Sequence, residues 1–353
     1  KRGDMGEDGK KAIELALQGG GAHGAFTWGV LDRLLADDRL RIDALSGTSA
    51  GAMNAVVLAD GLARGGTEGA RDALGRFWRA VSDASRFSPL QPTPLDVMMG
   101  RWSLDNSPGY VMMDLLARMV SPYQLNPFNY NPLRDLVAST VDFDAVNACD
   151  LVKVFVTATN VETGRAKVFR QPDLSADVLM ASACLPFLFQ AVEIGGVPYW
   201  DGGYMGNPAL FPLVDESPAR DLILVQITPF RRAGTPTSAQ DILNRLNEIT
   251  FNASLTGELR AIVLLRQLIE AENLEHERYR CMLLHRIHAA DDLEDLRASS
   301  KLNASWPFLQ HLHDIGWRTT ESWLESNFEH IGVSSTFDVN SVFEDGIRPA
   351  GGP

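Results

Sequence analysis

The chain has 353 residues, 45% of them hydrophobic and 22% charged, and a net charge of −13 at pH 7. That composition can bury one large core and a second smaller one, and it argues against extensive disorder. The acidic balance argues against a nucleic-acid partner and against simple electrostatic attraction to anionic membranes, leaving apolar contact as the route to lipid.

The first ten residues, Lys1-Arg-Gly-Asp-Met-Gly-Glu-Asp-Gly-Lys10, are too polar for a signal peptide and are expected to be flexible. They do not begin with methionine, so the chain reads as trimmed or engineered. The apolar stretch 13–17 predicts a strand, and it runs into Gln18-Gly-Gly-Gly-Ala-His-Gly24. Glycines at 19, 20 and 21 permit close backbone approach, so that successive N–H groups can converge on one anion. The same residues satisfy G-x-G-x-x-G after a strand, and Asp43 stands about where the acidic residue of a dinucleotide site would fall. A Walker A loop is excluded, because no Gly-Lys-Ser/Thr ends the run.

Residues 25–36 predict a helix with Phe26, Val30, Leu31, Leu34 and Leu35 on one face, and 42–45 a second strand. That strand leads into Gly47-Thr-Ser-Ala-Gly51, a pentapeptide with small residues two places either side of Ser49. A serine at the apex of a sharp strand-to-helix turn needs that spacing, since the flanking backbones pass closely. A nucleotide-binding second strand has no reason to carry it. The uninterrupted run 50–59 continues as a helix whose N-terminus lies under the serine, where its dipole favours negative charge. Loop and pentapeptide together point to acyl transfer, with Ser49 as nucleophile and the loop amides as oxyanion donors. Losing one such donor typically costs about 2.7–4 kcal/mol of transition-state stabilisation.

Helical character resumes over 71–81. Between 85 and 135 the pattern breaks at prolines 89, 92, 94, 108, 122, 127 and 132, and methionines concentrate there at 98, 99, 112, 113 and 119. Met98, Met112 and Met113 are candidate acyl-binding residues of a groove or of a lid resting on lipid, and a satellite core under a long insertion is the alternative.

A serine needs a base. Of the seven histidines only His23 precedes the last quarter of the chain, the others being His276, His285, His288, His311, His313 and His330, so a histidine triad is not indicated. Asp201, followed by Gly202-Gly203 after an aromatic pair, is a second candidate, serviceable only where burial or a neighbouring anion raises its reference value of about 3.9.

Gln18-Gly-Gly-Gly-Ala-His-Gly24, Gly47-Thr-Ser-Ala-Gly51 and Asp201-Gly-Gly203, in that order, resemble the three signature blocks of the patatin-like phospholipase family. The stretches 156–160 (a central strand) and 181–187 (a helix ending in a turn before the Asp201 hairpin) fit the same pattern, and coverage runs from about residue 11 to 230. The resemblance implies an α/β class, three-layer α/β/α fold. It also implies a Ser-Asp dyad of Ser49 and Asp201, an oxyanion hole from Gly19, Gly20 and Gly21, and no metal, nucleotide or other cofactor. Many members carry arginine or lysine where this chain has His23. A positive charge there would depend on pH; the alternative is that His23 only packs beside the loop.

The apolar, β-branched run 222–227 predicts a buried strand, and the alternation up to residue 230 predicts a mostly parallel sheet with helices on both faces. Residues 231–353 read as a mainly helical extension. Ser238-Ala-Gln-Asp241 resembles a capping box, Ile242, Leu246, Ile249, Ile262, Leu265 and Ile269 recur at helical spacing, 280–288 reads as an edge strand, and 302 onward as a further helix. The extension is expected to dock on the catalytic domain 11–230, narrowing the site or forming a homo-oligomer contact. His285-x-x-His288 and His311-x-His313 have the spacing of metal ligands, but without cysteines or an H-E-x-x-H helix they read as structural. Cys149, Cys184 and Cys281 show no disulfide or metal pattern and suit a reducing, cytoplasmic setting. The uncharged stretch 178–192 is shorter than the ~20 residues of a membrane helix and contains Pro186, so any membrane contact is peripheral.

The expectation is a serine lipid acyl hydrolase acting on lipid or acyl-ester substrates. An acyltransferase using the same acyl-enzyme, or a catalytically silent lipid-binding protein, is the alternative.

Overall fold

The apolar stretch after the polar N-terminus forms β1 (Lys11–Leu17), buried from Ile13 to Leu17 as a strand covered on both faces must be. The computed structural model describes residues 9–272, 281–293 and 296–343; most of the expected flexible N-terminus, the end of the extension, His276 and Arg280 lie outside these. Further strands are β2 (Leu40–Gly47), β3 (Lys153–Asn160), β4 (Ala166–Arg170), β5 (Val192–Ile194), β6 (Val197–Asp201), β7 (Asp221–Val225) and β8 (Leu283–Ile287). They form one sheet in the order β5-β6-β3-β2-β1-β7-β8, with β4 paired to β3 off this path. Pairs within β3-β2-β1-β7-β8 are parallel, and β4, β5 and β6 pair antiparallel.

Side chains of β1 and β7 alternate between two cores, as the period of two requires. Ile13, Leu15, Leu17, Ile223 and Val225 face a core shared with α1 (Gly24–Leu35) and α2 (Ala50–Ser85). Ala16, Leu222 and Leu224 face a second core with Leu255, Leu259 and Ile262. The sheet is therefore the middle of three layers, mostly parallel, in keeping with the α/β/α expectation.

The helical pieces expected at 50–59 and 71–81 are parts of α2, which is interrupted at Gly65 and Gly66. In the 85–135 region, prolines 94, 108, 122 and 132 do more than divide segments. Each opens a helix, at Pro94–Met98, α3 (Pro108–Met119), Pro122–Leu125 and Pro132–Thr140, because the first helical residue needs no N–H partner and proline already has helical φ. The 181–187 expectation shifts toward the N-terminus, to α4 (Ala176–Ser182).

Beyond residue 231, α5 (Ala239–Glu272) starts with Ser238 Oγ accepting the Asp241 N–H at 3.1 Å. Ile262 and Ile269 are buried, but Ile242, Leu246, Ile249 and Leu265 are exposed, since the second core takes in α5 only from Leu255 onward. β8 extends the same sheet at its edge beside β7. α6 (Trp306–Asn327) packs on α1 so closely that a Cβ at Gly316 would strike the Phe26 carbonyl.

Candidate active site

β2 ends at Gly47, and the chain turns into α2 through Ser49 at φ 54°, ψ −121°. Such a conformation costs a non-glycine residue about 1–3 kcal/mol and persists only when its surroundings enforce it. Here the Ser49 N–H donates to Ser182 Oγ at 2.9 Å, and Ser182 Oγ donates to the Thr157 carbonyl at 2.6 Å. Thr48 Oγ1 donates to the Gly206 carbonyl at 2.5 Å. A Cβ at Gly47 would lie 2.5 Å from the Gly51 carbonyl carbon, and one at Gly51 would strike the Leu17 carbonyl, so both positions of the pentapeptide need glycine. Thr157 and Ser182 fall within the stretches 156–160 and 181–187, but nothing in their spacing says that β3 and α4 carry them under the turn.

Asp201 reaches this turn through a feature of β3. β4 occupies one edge of β3; on the other, β2 pairs with residues 153–156 and β6 with 158–160. β6 therefore runs antiparallel into the space just beyond the end of β2, where Ser49 stands. Asp201 is 2% exposed. Its Oδ1 accepts the Gly203 N–H at 2.7 Å, and the Ser49 hydroxyl is near enough to favour its charged form. Its own N–H donates to the Cys184 carbonyl at 2.8 Å and its carbonyl accepts Thr159 Oγ1 at 2.8 Å, fixing the backbone on both sides. Burial pushes the carboxyl up to about 7, outweighing the opposing pull of the Gly203 amide, the Ser49 hydroxyl and the charge of Lys301. A carboxylate poised there can take a hydroxyl proton at neutral pH. Burial also pushes the nearby Cys184 thiol up to about 12, so it stays protonated.

The glycine loop is anchored by buried Gln18. Its Oε1 accepts the N–H groups of Ile227 and Thr228, each at 2.8 Å, and its Nε2 donates to Asn252 Oδ1 on α5 at 3.0 Å. The loop then passes directly against the serine turn, since a Cβ at Gly19 would lie 3.0 Å from Ser49 Cβ. The three expected donor amides are not equivalent. That of Gly19 donates to Asn207 Oδ1 at 2.7 Å, while those of Gly20 and Gly21 have no acceptor among the described residues. Asn207 is buried, and its only signal in the sequence is its place six residues after Asp201.

α5 closes over the aspartate turn. Phe251 lies where a Cβ at Gly203 would be, and Glu258 accepts the N–H groups of Leu210 and Phe211 at 2.6 and 3.0 Å. The extension is thus part of the site's wall.

His23 is buried, with Nε2 2.7 Å from Ser300 Oγ and its ring edge-on to Phe308. Burial, then the charge of Lys301, holds it down to about 3, so it is neutral at physiological pH and supplies no pH-dependent charge. Of the other histidines, His285 pairs with Asp221 at 2.9 Å and His313 with Asp32 at 3.0 Å, away from Ser49 in both contacts. Met98 and Met112 are 79% and 58% exposed and Met113 is half-buried, so they do not wall an enclosed acyl groove or build a satellite core. Phe87, Met99, Met119 and Phe128 of the same region are exposed as well.

The sequence model of a family described as patatin-like phospholipase matches residues 15–214. No curated protein matches the chain. Among solved structures, VipD from Legionella pneumophila aligns with a TM-score of 0.34 and 15% identity, covering 91% of this chain and 70% of that one.

Proposed function

The chain belongs to the patatin-like phospholipase family and is a lipid ester hydrolase, and from that premise we propose that it works through a Ser49–Asp201 dyad and an acyl-enzyme. Asp201 takes the Ser49 hydroxyl proton as Oγ attacks the ester carbonyl. The resulting oxyanion is held by the free amides of Gly20 and Gly21, with Gly19 serving to fix the loop through Asn207. Collapse of the tetrahedral species breaks the ester bond, and the proton returns from Asp201 to the departing alcohol. Water, activated by the same carboxylate, then releases the fatty acid and restores the serine.

The observation that carries this reading is a carboxyl, that of Asp201, buried enough to titrate near neutrality and close enough to the Ser49 hydroxyl to be influenced by it. No helix among the described residues is long and apolar enough to cross a membrane. In this reading the exposed apolar surface of 85–135 makes a peripheral contact with lipid, consistent with a net charge of −13 that gives no electrostatic attraction to anionic bilayers.

The test is fatty-acid release from phosphatidylcholine vesicles by wild type, Ser49→Ala and Asp201→Asn. Turnover by wild type that both substitutions abolish supports the dyad. Turnover that survives Ser49→Ala at the wild-type rate refutes it.

A further inference from the structure

The short turn Ala298–Leu302, more than 250 residues from the glycine loop in sequence, is docked onto it. Ser300 Oγ donates to the Arg297 carbonyl at 2.7 Å, so its contact with His23 uses the histidine's Nε2–H as donor. Ser299 Oγ accepts the Leu104 N–H at 3.1 Å, and Asn303 Nδ2 donates to the Trp102 carbonyl at 2.9 Å, tying the turn to the 85–135 region as well. The backbone of the next residue, Lys301, lies against Gly21, where a Cβ would meet its carbonyl.

The half-buried Lys301 brings a positive charge into the electrostatic reach of Asp201, Glu248 and Arg232, yet it makes no hydrogen bond or ion pair among the described residues. Both carboxylates within that reach are engaged elsewhere. Asp201 accepts from Gly203 at 2.7 Å, and Glu248 accepts from Arg232 at 2.7 Å and Arg245 at 3.0 Å. Burial lowers the lysine's affinity for its proton, the mark of a cation partly withdrawn from water without full compensation. A desolvated ammonium with unused donors is completed by an anion.

We propose that Lys301 is a specificity-determining residue whose ammonium receives the phosphate of a glycerophospholipid while the ester carbonyl lies at Ser49. This rests on the Ser49–Asp201 reading and adds the headgroup to it. The phosphate is the one permanent anion of such a substrate and lies a few bonds from its esters, whereas a neutral acylglycerol offers the lysine nothing. The extension thereby contributes the charge that the neutral His23 cannot.

The test compares kcat/KM for dihexanoylphosphatidylcholine and for dihexanoylglycerol, both below micelle formation, in wild type, Lys301→Met and Lys301→Arg. Both substrates are compared at pH 7.5 in the same protein, so any effect of the lysine charge on the shared base Asp201 cancels in the ratio. The ratio of phospholipid to neutral-lipid kcat/KM is expected to fall at least tenfold in Lys301→Met and to recover in Lys301→Arg. A wild type that cleaves both substrates with a ratio unchanged by Lys301→Met overturns the proposal alone. A wild type that cleaves neither overturns the dyad reading and this proposal with it.

Discussion

Replacing the buried base with its neutral isostere should separate stability from activity. Asp201 has an ordinary value of 3.8 and a folded value of about 7, so the native state binds this proton more tightly than the unfolded chain does. The stabilisation from protonation is fully present below about 3.8 and is lost as pH rises through about 7. At 1.36 kcal/mol per tenfold, keeping the carboxylate ionised in the native state costs about 4 kcal/mol. Asparagine retains an oxygen to accept the Gly203 N–H and carries no charge. Asp201→Asn should therefore be more stable than wild type at pH 8, and its advantage should widen by roughly 3 kcal/mol between pH 5 and pH 8, where wild type gives up most of its proton. Urea unfolding of both proteins, followed by tryptophan fluorescence at the two pH values, measures that difference. An advantage that does not change with pH would show that Asp201 does not titrate in this range and would refute the reasoning.

Two other consequences concern catalysis. The acid limb of kcat/KM should rise with pH through about 7, the folded value of Asp201, and then level off; a limb near 4 in the pH–rate profile would contradict a buried base. Ser182→Ala removes the acceptor of the Ser49 N–H and the donor to Thr157, which should cost about 1–3 kcal/mol of stability and lower turnover by up to ~100-fold through misplacement of the nucleophile, read by denaturation and by ester hydrolysis.

The local parts of this fold are legible in the sequence because their causes are local. A glycine loop after an apolar strand and a serine between two required glycines can be read from spacing, and the Asp201-Gly-Gly turn from composition. Long-range placement is not legible in the same way. Nothing near Asp201 in sequence says that β2 and β6 share one edge of β3, yet that sharing brings the carboxylate to Ser49. The same is true of Ser182 beneath the turn, of Asn207 taking the Gly19 amide, and of Lys301 arriving from the extension. The proline-rich region misleads for a different reason. Proline breaks a helix interior but suits a first turn, and only the structure shows on which side of each proline the helix lies. The charge state of His23 depends on burial under Ser300 and Phe308, which pattern alone does not reveal.

The most direct test of the central claim is intact-mass analysis after treatment with an alkyl fluorophosphonate, applied to folded wild type, Ser49→Ala and Asp201→Asn. The account predicts a single adduct on wild type, none on Ser49→Ala and slow labelling of Asp201→Asn. An adduct that persists in Ser49→Ala, or a folded wild type that takes none, would contradict it.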